Sequence, residues 1–86
     1  MKLNVTAFAL AAGLLWGAAL LLVAVANLVS PGYGRAFLDV MDSVYPGYHA
    51  GAGMGSAVTG GVYGLVDGAI GGALFAWLYN LLAPPR

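Results

Sequence analysis

A small residue stands at every fourth position through much of the second half of this chain, in a stretch that is otherwise mostly apolar. This series, called here the glycine ribbon, comprises Ala52, Ser56, Gly60, Gly64, Gly68, Gly72 and Ala76. Because an α-helix repeats every 3.6 residues, positions four apart lie along one side of it. In water each glycine would cost a helix about 1 kcal/mol relative to alanine, whereas lipid makes a self-bonded helical backbone obligatory. The pattern therefore predicts a membrane helix that packs closely against another helix.

Two stretches are long enough to cross a bilayer, which takes about 20 residues of helix. Residues 5–29 carry no charge, and residues 54–82 carry only Asp67. A cleaved signal peptide is the rival interpretation of the first stretch, but signals usually have an apolar core of about 7–15 residues. We therefore expect one all-α membrane domain over residues 1–86, in which two transmembrane helices form a hairpin.

The connector, residues 30–51, contains the helix-breaking pairs Pro31-Gly32 and Pro46-Gly47. Between these pairs, apolar side chains recur at helical spacing. The residues concerned are Phe37, Val40, Met41 and Val44. This pattern predicts a short amphipathic helix at the membrane surface. Its role stays open between a linker that shelters apolar side chains and a lid or docking surface.

Asp67 is the one charged residue inside either predicted span. At about 100° per residue, Gly60, Gly64 and Gly71 lie within about 60° of it around the helix. We therefore expect the carboxylate to face the packed side. The residues expected to face away, toward lipid, are Val62, Leu65, Val66 and Ala69. A charged aspartate at the bilayer centre costs at least about 2.5–3.5 kcal/mol, so Asp67 needs a proton, a hydrogen bond, water or a cation.

Two aromatic residues are candidate partners of Asp67. Matching the depths of the two spans places Trp16 level with it, where the indole N–H could donate to the carboxylate. Tyr63 lies one turn away on the same helix. The carboxylate has two candidate roles, an ion or proton site and a polar clasp between helices.

The glycine ribbon has two candidate uses. It could receive the first helix of its own chain, which carries Gly13 and Gly17, or a neighbouring subunit. The candidate helix-packing residues are Ser56, Gly60, Gly64, Gly68, Gly71, Gly72, Gly13 and Gly17. A lone two-helix hairpin buries little surface, which favours a homo-oligomer. Docking on a larger membrane complex is the alternative.

Other function classes lack a signal. Three basic and three acidic side chains give no net charge, which argues against nucleic acid as a partner. The sequence contains no cysteine, nucleophile–base pair, phosphate-binding loop or metal-ligand spacing, so we expect no enzyme, cofactor or metal site. Lys2 and Arg86 flank the outer ends of the two spans, so the positive-inside rule predicts that both termini are cytoplasmic.

Three segments resemble a family of small bacterial membrane proteins with two transmembrane helices, a family of unknown function that is often labelled "bacteriophage holin". They are MKLNVTAFALAAGLLWG, YPGYHAG and GGVYGLVDGAIGGALFAWLYNLL. The resemblance covers nearly the whole chain, and its most specific part is VDGAIGG followed by FAWLYN. It implies two spans, a short connector and the bacterial inner membrane. It implies no residue-level mechanism.

Overall fold

Three helices make up the fold, in the order long, short, long. The computed structural model describes residues 2–83, in which α1 spans Val5–Val29, α2 spans Arg35–Val44 and α3 spans Met54–Leu82. Helices α1 and α3 pack together as a hairpin and are long and apolar enough to cross a membrane. The prediction of two long apolar helices is thus confirmed. Arg86, which entered the charge argument, lies outside the described residues.

Side-chain amides fix both ends of α1. Asn4 precedes the helix, and its side-chain oxygen accepts a hydrogen bond from the Ala7 N–H at 3.0 Å, as an N-cap residue does. Near the other end Asn27 is 2% exposed. Its side-chain N–H group donates to the carbonyls of Pro31, at 2.8 Å, and Tyr33, at 3.0 Å, and so holds the turn that follows α1.

The two long helices approach each other through small residues. A Cβ atom added at Gly68 would lie 2.8 Å from the carbonyl oxygen of Ala12 and 2.9 Å from the Cα of Gly13. One added at Gly64 would lie 3.0 Å from the Cα of Gly17. At these positions only glycine lets the backbones come so close.

The contact surface of α3 is rotated from the one expected. A Cβ atom on Gly13 would lie 2.6 Å from the carbonyl oxygen of Leu65 and 3.0 Å from the Cβ of Ala69. The expectation that Ala69 faces away from the helix contact is therefore wrong, whereas the Leu65 side chain is 39% exposed although its backbone lies at the contact. Gly71, expected on the packed side, has no neighbour within 4 Å of its Cβ position. The reason is that α1 approaches α3 from the side of Gly68, which turns Gly71 outward.

Helix α2 folds back along α1 after the turn at residues 30–34. Its first residues lie beside Val23, which a Cβ atom on Gly34 would meet at 2.5 Å. Further down, the Phe37 ring packs edge-on against Trp16, with the ring centroids 5.8 Å apart. The segment therefore descends from the end of α1 to its middle. Part of the apolar face of α2 thus packs against the hairpin, and its location at a membrane surface stays a prediction.

The chain then reverses and climbs along α3. Gly47 has a φ of +85°, a conformation that glycine adopts readily, at the point of reversal. The ring of Tyr48 covers Gly60, and higher up the backbone N–H of His49 donates to the Ser56 hydroxyl at 2.9 Å. The connector is therefore a second, shorter hairpin that lies against the first one.

The largest buried side chains lie where these two hairpins meet. The largest fully buried ones are Leu20 of α1, Leu38 of α2 and Tyr48, which follows the turn at Gly47. The cluster also contains Ala24, Tyr45 and Ala57. The connector thus supplies half of the core.

Asn80 joins the two ends of the long hairpin that lie away from the connector, the start of α1 and the end of α3. This end of the molecule is called here the open end of the hairpin. The side-chain oxygen of Asn80 accepts from the Leu3 N–H at 2.6 Å, and its side-chain N–H donates to the Leu3 carbonyl at 2.8 Å. Lys2 adds an exposed bond from its ammonium to the Asn80 carbonyl, at 2.6 Å. These bonds join segments that are 77 or 78 residues apart in the sequence.

We predict that Asn80→Leu loosens this end by about 1–2 kcal/mol, because it removes two amide hydrogen bonds at once. Hydrogen exchange of the Leu3 amide in detergent micelles measures the effect, which should be a loss of protection. Lys2→Met is the matched control and should change little, because its bond is exposed. An equally protected Leu3 amide in Asn80→Leu would contradict the assignment.

Candidate functional site

A chain of two hydrogen bonds connects the two long helices through the connector, near the middle of the long hairpin. The indole Nε1–H of Trp16 donates to the Tyr45 hydroxyl oxygen at 3.2 Å, and the Tyr45 hydroxyl donates to Oδ2 of Asp67 at 2.8 Å. The direction of both bonds is fixed chemically. An indole nitrogen can only donate, so the tyrosine oxygen accepts there and its own proton is directed to the carboxylate.

Each member of this chain comes from a different element. Trp16 lies near the middle of α1 and Asp67 near the middle of α3. Tyr45 follows directly after α2, at the deepest point of the connector, and is 5% exposed. Its position therefore depends on how far the connector descends.

Tyr63 holds the same connector tip in a second way. Its ring stacks on that of Tyr45, with centroids 5.0 Å apart and planes 5° from parallel. Its hydroxyl donates to the carbonyl of Pro46. Tyr63 is thus part of the site, but it binds the connector and not Asp67.

The surroundings of Tyr45 keep its hydroxyl protonated. Burial raises the pKa of Tyr45, the hydrogen bond from Trp16 lowers it, and the hydrogen bond and negative charge of Asp67 raise it again. The net change is upward from the usual value of about 10. Tyr45 is therefore a permanent donor to Asp67 at neutral pH.

Asp67 itself is exposed on the outer surface of the single chain. It lies beside the α1–α3 contact, which uses the neighbouring positions Gly64 and Gly68. That Asp67 faces a packed surface formed with another subunit stays a prediction. The expected direct bond from Trp16 is replaced, since the Tyr45 hydroxyl stands between the two side chains. In residues 2–83, Tyr45 supplies the one hydrogen bond that the Asp67 carboxylate receives.

The glycine ribbon is covered within the chain. Gly64, Gly68 and Gly72 lie against α1, and Gly60 lies under Tyr48. Ser56 exchanges hydrogen bonds with the backbone of His49 and is not in the α1 contact. From α1, Gly13 and Gly17 meet the backbone of α3. Of the two candidate uses of the ribbon, the observed one is contact with the chain's own first helix.

The predicted apolar face of α2 is divided between the core and the exposed surface of the chain. Phe37 and Met41 pack against the core together with the buried Leu38, whereas Val40 and Val44 are 54% and 58% exposed. Some apolar side chains of this helix therefore pack against the core, and others are exposed.

Sequence reasoning missed Tyr45 as the partner of Asp67. The available signal was the pair of tyrosines that flanks the Pro46-Gly47 turn directly after an amphipathic helix. Two aromatic side chains on one tight turn indicate a buried turn, but the depth it reaches depends on packing across the whole chain.

In the part of the chain that the structure describes, no three histidine or acidic side chains come together. In the same residues the one ion pair joins Arg35 to Asp39 at 3.1 Å, in α2. Comparisons with protein-family models, curated proteins and solved structures find no match to this chain.

Proposed function

We propose that this protein is an integral membrane hairpin of the bacterial inner membrane that self-associates with Asp67 at the contact, forming a proton- or ion-handling oligomer. The observation that carries the proposal is a carboxylate exposed on the outer surface of the chain, near the middle of a helix long enough to span a bilayer. The resemblance to small two-helix proteins labelled "bacteriophage holin" supports the membrane location.

Lipid is an energetically unfavourable environment for this carboxylate. A charged aspartate at the bilayer centre costs at least about 2.5–3.5 kcal/mol, and one hydrogen bond from Tyr45 offsets only part of that. A second copy that covered Asp67 would remove the carboxylate from lipid. Self-association therefore gains free energy at this position.

The proposed contact is the outer face of α3 at Asp67 and Gly71, and not the ribbon. Gly71 lies one turn beyond Asp67, and its Cβ position has no neighbour within 4 Å. Beside it, Ile70 and Leu74 are 57% and 61% exposed. The tip of the connector, at Tyr45, reaches α3 at Asp67. The face of α3 that follows Asp67 toward the C-terminus is therefore not covered by the connector. A second helix can approach closely where Gly71 has no side chain.

Charge supports a topology with both termini in the cytoplasm. Lys2 lies at the open end of the hairpin, whereas the connector's Arg35 is paired with Asp39 at 3.1 Å. The positive-inside rule then favours the open end as the cytoplasmic one.

Association of the purified full chain tests the proposal, by crosslinking in liposomes and native mass spectrometry from mild detergent. Wild type should form a defined oligomer, and Gly71→Leu should weaken association at least about tenfold, equivalent to about 1.4 kcal/mol. Gly55→Leu is the matched control, because Gly55 is equally open but lies far from Asp67 along α3. A monomer under all conditions, or equal effects of the two substitutions, would contradict the proposal.

A structural subunit of a larger membrane complex is the second candidate. An apolar groove runs between α1 and α3, lined by residues of both helices. Its lining comprises Leu14, Gly17, Ala18, Leu21, Val58, Gly61, Val62 and Leu65. A partner helix of another protein would fit there, and Asp67 would then act as a clasp for the connector. A stoichiometric foreign protein retained on gentle extraction, with no self-association, would favour this candidate.

A further inference from the structure

We propose that water enters the membrane along the outer face of the connector and reaches the level of Asp67 from the loop end of the molecule only. The loop end is the end at which α1 turns into α2, opposite to the open end of the hairpin. This inference rests on the proposed function, because it assigns the side of the membrane from which the carboxylate is reached. It follows from the depth of the connector tip, from its free backbone groups and from the distribution of polar residues along the chain.

The tip of the connector lies well inside the span of the two long helices. The Tyr45 hydroxyl donates to Asp67 at 2.8 Å, and the Pro46 carbonyl accepts from the Tyr63 hydroxyl. Tyr63 lies about 14 Å along α3 from Met54, at the helical rise of about 1.5 Å per residue. When α1 and α3 cross the bilayer, the connector therefore enters the membrane to the level of Asp67 and returns to the same side.

Gly47, at the point where the connector reverses, has backbone groups that need water. Its N–H and its carbonyl make no hydrogen bond within residues 2–83, and no atom of these residues lies within 4 Å of its Cβ position. Gly47 and the preceding Pro46 are both exposed. Irregular backbone at membrane depth occurs where it is buried in protein or lines a water-filled cavity, and not against lipid. Because the described chain leaves this tip uncovered, water is the partner that satisfies its backbone.

Polar side chains mark the route from the loop end to this tip. Arg35, Asp39 and Ser43 stand at every fourth position of α2, so they lie along one side of it, and all three are exposed. We call these three residues the polar track. It begins where Arg35 lies beside Gly51 and ends two residues before Tyr45. Charged side chains within a membrane face a bundle interior or a water-filled cavity, and here the ion pair of Arg35 and Asp39 is 53% and 55% exposed.

Beyond Asp67 the polar track has no continuation. Residues 68–82 of α3 and residues 5–29 of α1 contain no charged side chain. Ile70 and Leu74, which lie beside the open position Gly71, are exposed and apolar. A second copy seated on this apolar face closes the route toward the open end, and the same apolar face offers no hydrogen-bonding side chain that could replace water on the polar track. In the proposed topology the carboxylate is therefore reached from the side opposite to the cytoplasm.

Labelling of introduced cysteines tests the route, because the chain has no cysteine of its own. The Ser43 hydroxyl bonds only to the Val40 carbonyl of its own helix, so Ser43→Cys leaves the packing intact. The controls are Leu15→Cys, next to Trp16 on α1, and Leu74→Cys, whose leucines are 75% and 61% exposed in the single chain. A charged methanethiosulfonate reagent that does not cross lipid is present on both sides of proteoliposomes of the full chain. We expect Ser43→Cys to react at least about tenfold faster than either control, and a rate no faster than that of either one would overturn the proposal.

Amide hydrogen exchange of the unmodified chain in lipid nanodiscs shows whether the connector is docked and wet at the same time. The His49 N–H donates to the Ser56 hydroxyl of α3 at 2.9 Å, so it should be protected in a docked connector. The Gly47 N–H, two residues away, should exchange within about tenfold of the rate of an unbonded amide in water. A protected Gly47 amide would mean a dry tip, and rapid exchange at both amides would mean a connector that has left the hairpin. Either result would overturn the proposal.

Crosslinking of the same proteoliposomes keeps the two proposals separate. Fast labelling of Ser43→Cys in a chain that stays monomeric would leave this inference standing and reject self-association. A crosslinked oligomer in which Ser43→Cys is protected would do the reverse.

Discussion

Gly68→Leu should separate α1 from α3, whereas Gly71→Leu, three residues along the same helix, should leave the hairpin closed. The Cβ position of Gly68 lies within 2.9 Å of the backbone and Cβ atoms of α1, and that of Gly71 lies in open space. Backbone atoms cannot rotate away as a side chain can. Overpacking a core by a few methylenes costs about 1–3 kcal/mol, so a full leucine against backbone should cost at least ~3 kcal/mol.

Spin labels can measure this separation directly, because the chain has no cysteine of its own. Labels on cysteines introduced at the exposed Leu10 and Leu74 report the distance between the two helices. The distance distribution should shift and broaden in Gly68→Leu and match the wild type in Gly71→Leu. Measurement at high detergent ratio keeps self-association out of the comparison.

Alanine substitutions at the same two positions should change the stability of the hairpin in different directions. Alanine is a better helix former than glycine by about 1 kcal/mol, so Gly71→Ala should be neutral or stabilising. Gly68→Ala gains the same propensity but places a methyl group 2.8 Å from the Ala12 carbonyl oxygen, so it should destabilise. Equal effects of the two alanines on the free energy of unfolding would show that α1 does not pack on Gly68.

The long helices were predictable because their signals are local. Apolar length defines α1 and α3, and Asn4 at the start of α1 is a typical N-cap residue. The side of α3 that meets α1 was predicted only in part. Gly64 and Gly68 lie at the contact as expected, but Ala69 does too, because the rotation of a helix about its own axis depends on its partner. The spacing of small residues predicts that one side of α3 packs closely, but it does not predict which residues lie at the centre of that contact.

The candidate site was predictable in its carboxylate and not in its partner. Asp67 is conspicuous as the one charge in its span, and Trp16 was placed at the correct depth. Tyr45 reaches that depth only because α2 descends along the hairpin, which no periodicity within residues 30–51 reveals. The Asn80 bonds to Leu3 escaped prediction for the same reason, since they join residues 77 apart.

Two buried tyrosines of the connector should respond in opposite ways to loss of the hydroxyl group. Tyr45 and Tyr48 are 5% and 1% exposed, three residues apart. The Tyr45 hydroxyl carries two hydrogen bonds, one of them to a carboxylate, whereas the buried Tyr48 hydroxyl has no partner in residues 2–83. Burial raises the pKa of Tyr48, and the negative charge of Asp42 adds to this, so its hydroxyl is also neutral.

Tyr45→Phe should therefore destabilise the protein by about 2–4 kcal/mol, because it leaves both the Trp16 N–H and Asp67 without their shared partner. Tyr48→Phe should be neutral or stabilising by up to about 2 kcal/mol, because it removes a buried polar group that makes no hydrogen bond. The two substitutions delete the same atom from the same segment, so loss of ring packing cannot account for a difference.

Unfolding free energies in detergent, together with NMR of the Trp16 indole N–H, measure both effects. The indole resonance should move in Tyr45→Phe and stay in place in Tyr48→Phe, with Trp77→Phe used to assign it. Hydrogen exchange at the Ala50 amide, which donates to Asp42 at 3.0 Å, reports whether the connector remains docked. If Tyr48→Phe lowered the free energy of unfolding more than Tyr45→Phe, the connector would be held by the segment that follows the Pro46-Gly47 turn and not by the bond to Asp67. A docked connector in Tyr48→Phe and a released one in Tyr45→Phe would establish that Asp67 anchors the second hairpin to the first.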